Sequence, residues 1–195
     1  MLDSKGVQVF KTNEGLILPT RQSLMELYRI LTEYTREYVK TDVMHYGVRY
    51  EGILTMMESR LRGKRYAKAP LENALAVSEE LAFRIMCEHP FTDGNKRTAL
   101  IGAFFFLIMN LDYVNKNSGK RYAFLPSMGH FDVGVQMERA KQLELLAAWN
   151  DERRSAELYE FLTRNGIKVR SRNRITEDHI RQYLRKFLRE LVVEA

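Results

Sequence analysis

The stretch "TALIGAFFFLIMNL" (Thr98–Leu111) limits what this chain can fold into more than any other. A helix built on it is apolar on nearly all sides, so other elements have to enclose it. Its purely apolar run, Ala99–Met109, is well short of the ~20 residues needed to cross a bilayer. The sequence therefore predicts a buried central helix, from near Asn95 to about Leu111, with the rest of the chain wrapped around it as a helical bundle.

The flanking segments supply the wrapping. "SLMELYRILTEYTREYV" has Leu24, Leu27, Tyr28, Leu31, Tyr34 and Tyr38 at helical spacing, and Ser23 and Glu26 stand at capping-box separation. This predicts an amphipathic helix to about Val39. "HYGVRYEGIL" reads as a loop leading into a short helix from about Glu51. "RGKRYAKAP" (Arg62–Pro70) is basic and irregular, and "LENALAVSEELAFRIMCE" is a clear helix, Leu71 to about Glu88. Pro90 ends it by disfavouring helical geometry at His89. "DYVNKNSGKRYAFLPSMGHFD" reads as a turn-rich connection. "VGVQMERAKQLELLAAWN", "SAELYEFLTRNG" and "TEDHIRQYLRKFLRELVVE" read as further helices, the second closed by Gly166 as a C-cap. At the N-terminus, Val7–Lys11 and Leu16–Leu18 flank "TNEG", which predicts a small β-hairpin.

The chain has 195 residues, enough for one ordinary domain, with 45% apolar and 29% charged residues. The expected organisation is an N-terminal hairpin segment at 1–20, a helical domain at 21–169 and a C-terminal helical extension at 170–195. Net charge is +6, which favours acidic partners. Nothing suggests a helix-turn-helix or a base-stacking surface, so no specific nucleic acid is expected. The single cysteine, Cys87, precludes an intrachain disulfide, and no signal peptide is evident. A cytoplasmic protein with no membrane attachment is expected. In the extension, Ile175, Ile180, Leu184, Phe187, Leu188 and Leu191 recur at helical spacing. That helix packs on the bundle, or forms a homodimer or a surface for an acidic partner.

Directly before the apolar helix stands "HPFTDGNKR" (His89–Arg97). The N-terminus of a helix attracts anions through its unpaired N–H groups. Gly94 allows close backbone approach, and Asn95, Lys96 and Arg97 add donors and charge. Positive side chains at a helix N-terminus are otherwise disfavoured, and a bound polyphosphate would reverse that cost. Asp93 can cap the helix or hold Mg²⁺ carried by phosphates. His89, near neutral in pKa, can cap the preceding helix or act as a general base. Phe91 is an apolar anchor for the loop.

This motif resembles the signature of the Fic/Doc superfamily, H-x-F-x-[D/E]-[G/A]-N-x-R, and matches every fixed position: His89, Phe91, Asp93, Gly94, Asn95 and Arg97. The resemblance extends from about Leu24 to Leu111. It implies a mainly α, Fic/Doc-like bundle around a buried central helix, with the N-terminal hairpin and an extra C-terminal helix as additions. The adenylylating branch has glycine after the asparagine and a second arginine three residues past the first. Here those positions hold Lys96 and Leu100, as in the Doc (death-on-curing) toxins.

The resemblance thus implies transfer of the γ-phosphate of ATP to a hydroxyl of a target protein, a translation factor such as elongation factor Tu in the case of Doc. AMP transfer is the alternative, and a non-catalytic nucleotide-binding module is a further one. By resemblance, His89 deprotonates the target hydroxyl, Asp93 holds Mg²⁺, and Gly94, Asn95, Lys96 and Arg97 hold the phosphates. Family enzymes dock the target chain on a flap before the motif helix, and the candidate is Arg62–Pro70, with Lys64, Arg65 and Tyr66. Self-inhibiting members carry [S/T]-x-x-x-E-[G/N]. Glu14, Glu51 and Glu72 precede Gly or Asn, but Phe10, Gly47 and Lys68 stand four residues earlier. Restraint is then expected from a separate antitoxin protein.

Overall fold

The computed structural model describes residues 8–39, 45–125 and 142–195. A two-stranded hairpin, β1 (Val9–Lys11) and β2 (Ile17–Pro19), opens the chain in antiparallel register, Phe10 opposite Leu18. Gly15 turns it at φ 97°, as the "TNEG" signal predicts. Asn110 fastens this hairpin to the bundle. Its fully buried side chain accepts from Ile17 N–H at 2.7 Å and donates to the Ile17 carbonyl at 2.9 Å.

Helix α1 (Arg21–Tyr34) begins one turn earlier than the Ser23–Glu26 spacing predicts. Thr20 is the N-cap, and its hydroxyl accepts from Ser23 N–H at 3.0 Å while Ser23 Oγ accepts from Thr20 N–H at 2.8 Å. The extended backbone that β2 feeds into Thr20 suits a cap, and Glu26 is left to pair with Arg29. A π-helical turn, Thr35–Val39, ends the element.

Helices α2 (Glu51–Gly63), α3 (Pro70–Glu88) and α4 (Asn95–Met109) follow the predicted pattern. As expected, α4 is the enclosed helix, with Ala99, Leu100, Ala103, Phe104, Phe106 and Leu107 all buried. Gly102 sits where α4 is squeezed between two neighbours. A Cβ there would meet Leu27 of α1 and Leu81 of α3, each at 3.3 Å. The segment Asn95–Ser118 is long and apolar enough to cross a membrane by length and composition, and most of it is buried inside the fold. Core packing accounts for its apolarity.

The connection after α4 is more ordered than its turn-rich composition suggests. Leu111–Ser118 forms α5 and Tyr122–Phe124 forms β3. Residues 142–147 are helical (α6); the rest of the helix expected at 133–150, apart from 148–150, and the end of the connection before it lie outside the described residues. Helix α7 (Ser155–Arg164) is followed by Gly166 at φ 78°.

Helix α8 (Glu177–Glu190) stops short of "VVE", expected as its last turn. Val192–Glu194 is instead β4, antiparallel to β3 with Phe124 opposite Val192. β-Branched residues favour this extended pairing. Ile180, Leu184 and Leu188 of α8 enter the same core cluster as α3 and α4. At the α3–α8 contact, buried Glu79 meets Arg181 at 3.2 Å and Arg185 at 2.5 Å. The Arg181 guanidinium also lies 4.2 Å from the ring centre of Phe83. The extra helix thus clasps the element that carries His89 at its end.

Candidate active site

The motif loop is bounded by two left-handed residues. His89, the C-cap of α3, has φ 47° and ψ 58°, and Gly94, the N-cap of α4, has φ 66°. Pro90 disfavours the right-handed helical region for His89. Non-glycine residues rarely adopt a positive φ, and His89 is the one that does among the described residues.

Inside the loop, Phe91 is fully buried and its ring stacks on Tyr28 of α1 at 4.0 Å. Asn95 closes the loop from the other side. Its Oδ1 accepts from Phe91 N–H at 3.0 Å and its Nδ2 donates to the Phe91 carbonyl at 2.9 Å. The side chain is buried and clamps the main chain, a duty separate from the phosphate contact the resemblance implies.

Asp93 does not cap α4 with its side chain; Gly94 occupies the N-cap and no side chain caps the helix. The Asp93 carboxylate accepts from Gly94 N–H at 2.5 Å and from His45 N–H at 3.3 Å, and Arg97 approaches it at 3.8 Å. It remains 39% exposed, with acceptor capacity to spare. No cluster of three or more acidic, histidine or cysteine side chains that could hold a metal occurs among the described residues. A carboxylate of this kind suits Mg²⁺, which is usually held by one or two carboxylates together with substrate phosphates.

At the loop's entrance, His89 Nε2 is buried and has no hydrogen-bond partner. Burial pushes the imidazole pKa below its ordinary value. The charge of Lys96 and, less strongly, that of Arg49 push the same way, while a hydrogen bond to the Met86 backbone pulls against them. Lys96, in the uncapped first turn of α4, has no ion-pair partner among the described residues.

Residues 19–107 match the model of the Fic/DOC family. The likeness to this family covers 89 of the 195 residues. No curated protein and no solved structure matches it. The matched region runs from the end of β2 through α4, so it contains the whole motif loop and the helices on either side.

Within this matched region, sequence reasoning missed the segment 45–50, which straps the motif loop. Arg49 N–H and Tyr50 N–H donate to the Pro90 carbonyl at 2.8 and 3.0 Å, Thr92 N–H donates to the Gly47 carbonyl at 2.8 Å, and Val48 bridges to Phe91. Tyr28 Oη donates to the His45 carbonyl at 2.7 Å. Gly47 is required by close approach, since a Cβ there would stand 2.4 Å from Thr92 Oγ1. The available signal was "YGVRY", a glycine inside an extended, aromatic-rich run.

The segment proposed from sequence as the flap lies elsewhere. Tyr66 is tied to the Leu61 carbonyl at 3.0 Å, and its own carbonyl accepts from Asn73 at 3.3 Å. Asn73 is near the start of α3 and His89 is at its end, roughly 24 Å away at ~1.5 Å per residue. Lys64 and Arg65 are exposed beside Tyr66, in a segment without strand structure. The extended segment beside the loop is 45–50.

Proposed function

We propose that this protein transfers the γ-phosphate of ATP to a hydroxyl of a target protein. A Fic/DOC domain points in general to a protein-modifying transferase with a nucleotide substrate. The observation that carries the proposal is the buried, unpartnered Nε2 of His89, whose pKa is held down, at one end of the loop whose other end is the uncapped start of α4.

In this reading the uncapped N–H groups of Asn95, Lys96 and Arg97, with the Lys96 ammonium, receive the phosphates. Asp93 holds Mg²⁺, which neutralises charge on the phosphates. The target hydroxyl oxygen forms a bond to the γ-phosphorus, and its proton passes to His89 Nε2. The bond from that phosphorus to the β–γ bridging oxygen breaks, and ADP leaves. Such sites work by positioning and charge stabilisation.

Two residues favour the γ-phosphate over AMP. Lys96 stands where the adenylylating branch has glycine, and Leu100, 3% exposed in the core, stands where that branch has its second arginine. AMP transfer is the alternative, with attack at the α-phosphorus and pyrophosphate leaving. By the same resemblance, the protein is the toxin of a toxin–antitoxin pair in the cytoplasm, and the target is a translation factor such as elongation factor Tu.

ATP labelled separately at the α- and γ-phosphates, incubated with protein and cell lysate, tests this. Transfer from γ alone is expected. Transfer from α means adenylylation, and no transfer of either label to any protein contradicts both.

A further inference from the structure

We propose that Arg49 is a phosphate-contacting residue of this site, supplied by the strap rather than by the motif. The inference rests on reading the motif loop as a phosphate site, and extends that site to a residue outside the motif.

The strap fixes where Arg49 stands. Its N–H donates to the carbonyl of Pro90, the residue next to His89, at 2.8 Å, and the flanking Val48 bridges to Phe91. The main chain alone makes these contacts, so they leave the guanidinium without a structural duty. The side chain is exposed and has no ion pair or hydrogen bond among the described residues.

Neither Glu51 nor Asp93 pairs with Arg49. Glu51 pairs with Arg21 at 2.6 Å, and Asp93 holds the N–H groups of Gly94 and His45 and faces Arg97. The charge of Arg49 nevertheless reaches His89, where it acts in the same direction as that of Lys96. Two cations without partners, one from the strap and one from α4, thus converge on the proposed base. Like charges held together around a group they destabilise when protonated call for an anion between them. A guanidinium offers a planar donor fork suited to phosphate oxygens.

The test compares the wild-type chain with Arg49→Gln and Arg49→Lys. Arg172→Gln, at an exposed arginine of the C-terminal extension, controls for general loss of charge. The probes are inorganic tripolyphosphate and Mg·ATP, followed by calorimetry and by the amide NMR shifts of Gly94 and Lys96. Arg49→Gln is expected to weaken both probes about tenfold or more, with Arg49→Lys recovering part of the loss and Arg172→Gln near wild type. Thermal unfolding should be unchanged in Arg49→Gln, because the strap's main-chain bonds remain. Wild-type affinity in Arg49→Gln overturns the inference and leaves the phosphate site standing. Arg49-dependent binding without label transfer from ATP keeps the inference and removes the proposed activity. If the wild type binds neither probe, both fall.

Discussion

His89 holds a positive φ, at a cost of order 1–3 kcal/mol for a non-glycine residue, and it is the residue proposed to take the target's proton. Its depressed pKa sets the direction of the pH response. The neutral form persists below the ordinary value of 6.5, so the acidic limb of kcat/KM is expected to lie below pH 6.5. The same shift lowers stability as pH falls from 6.5 towards the folded-state value, because the unfolded chain takes up the proton first. Ring titration by NMR checks both, and Lys96→Gln should raise the His89 value. Asn95 offers a second test at this scale. Asn95→Ala leaves the buried N–H and carbonyl of Phe91 without partners, so a loss of about 2 kcal/mol or more in urea unfolding is expected. Every motif residue was legible in the sequence because its type and spacing are local. The Asn95 clamp was not, since an amide that holds the main chain and one that holds a phosphate look alike in a sequence.

At the scale of elements, the site is a loop between α3 and α4 held down by the 45–50 strap. The contact between strap and loop is tight enough to test by one methyl group. Gly47→Ala places a carbon 2.4 Å from Thr92 Oγ1 and should force the strap and loop apart. Lower thermal stability and weaker Mg·ATP binding are expected, and Thr92→Ala in the same chain should restore part of each. Helices α2, α3 and α4 were readable because apolar spacing and Pro90 mark them strongly. The strap was not, because its partners in the motif loop lie 40 or more residues away along the chain and its pairing is long-range. For the same reason "VVE" passed for the end of a helix. Its strand character comes from β3, about 70 residues earlier.

For the whole molecule, the bundle and the site depend on the C-terminal helix. A chain ending at residue 169 loses Ile180, Tyr183, Leu184, Leu188 and Leu191, all buried. At roughly 1.5–3 kcal/mol per buried apolar side chain, that loss is comparable to the ~5–15 kcal/mol that keeps a domain folded. It also leaves Glu79 buried without Arg181 and Arg185. The truncated chain is therefore expected to lack a cooperative unfolding transition; a sharp transition near that of the full chain would mean that α8 is an appendage. Helical periodicity showed that α8 has an apolar face, but its charged partners on α3 could be read only from the fold. The central claim joins all three scales: a neutral histidine beside a phosphate site takes the target's proton. The most direct test measures Mg·ATP affinity and label transfer side by side in wild type and His89→Ala. The account predicts affinity within about threefold of wild type and transfer reduced by about 10²-fold or more, the range of general base catalysis. Transfer that survives in His89→Ala would contradict it.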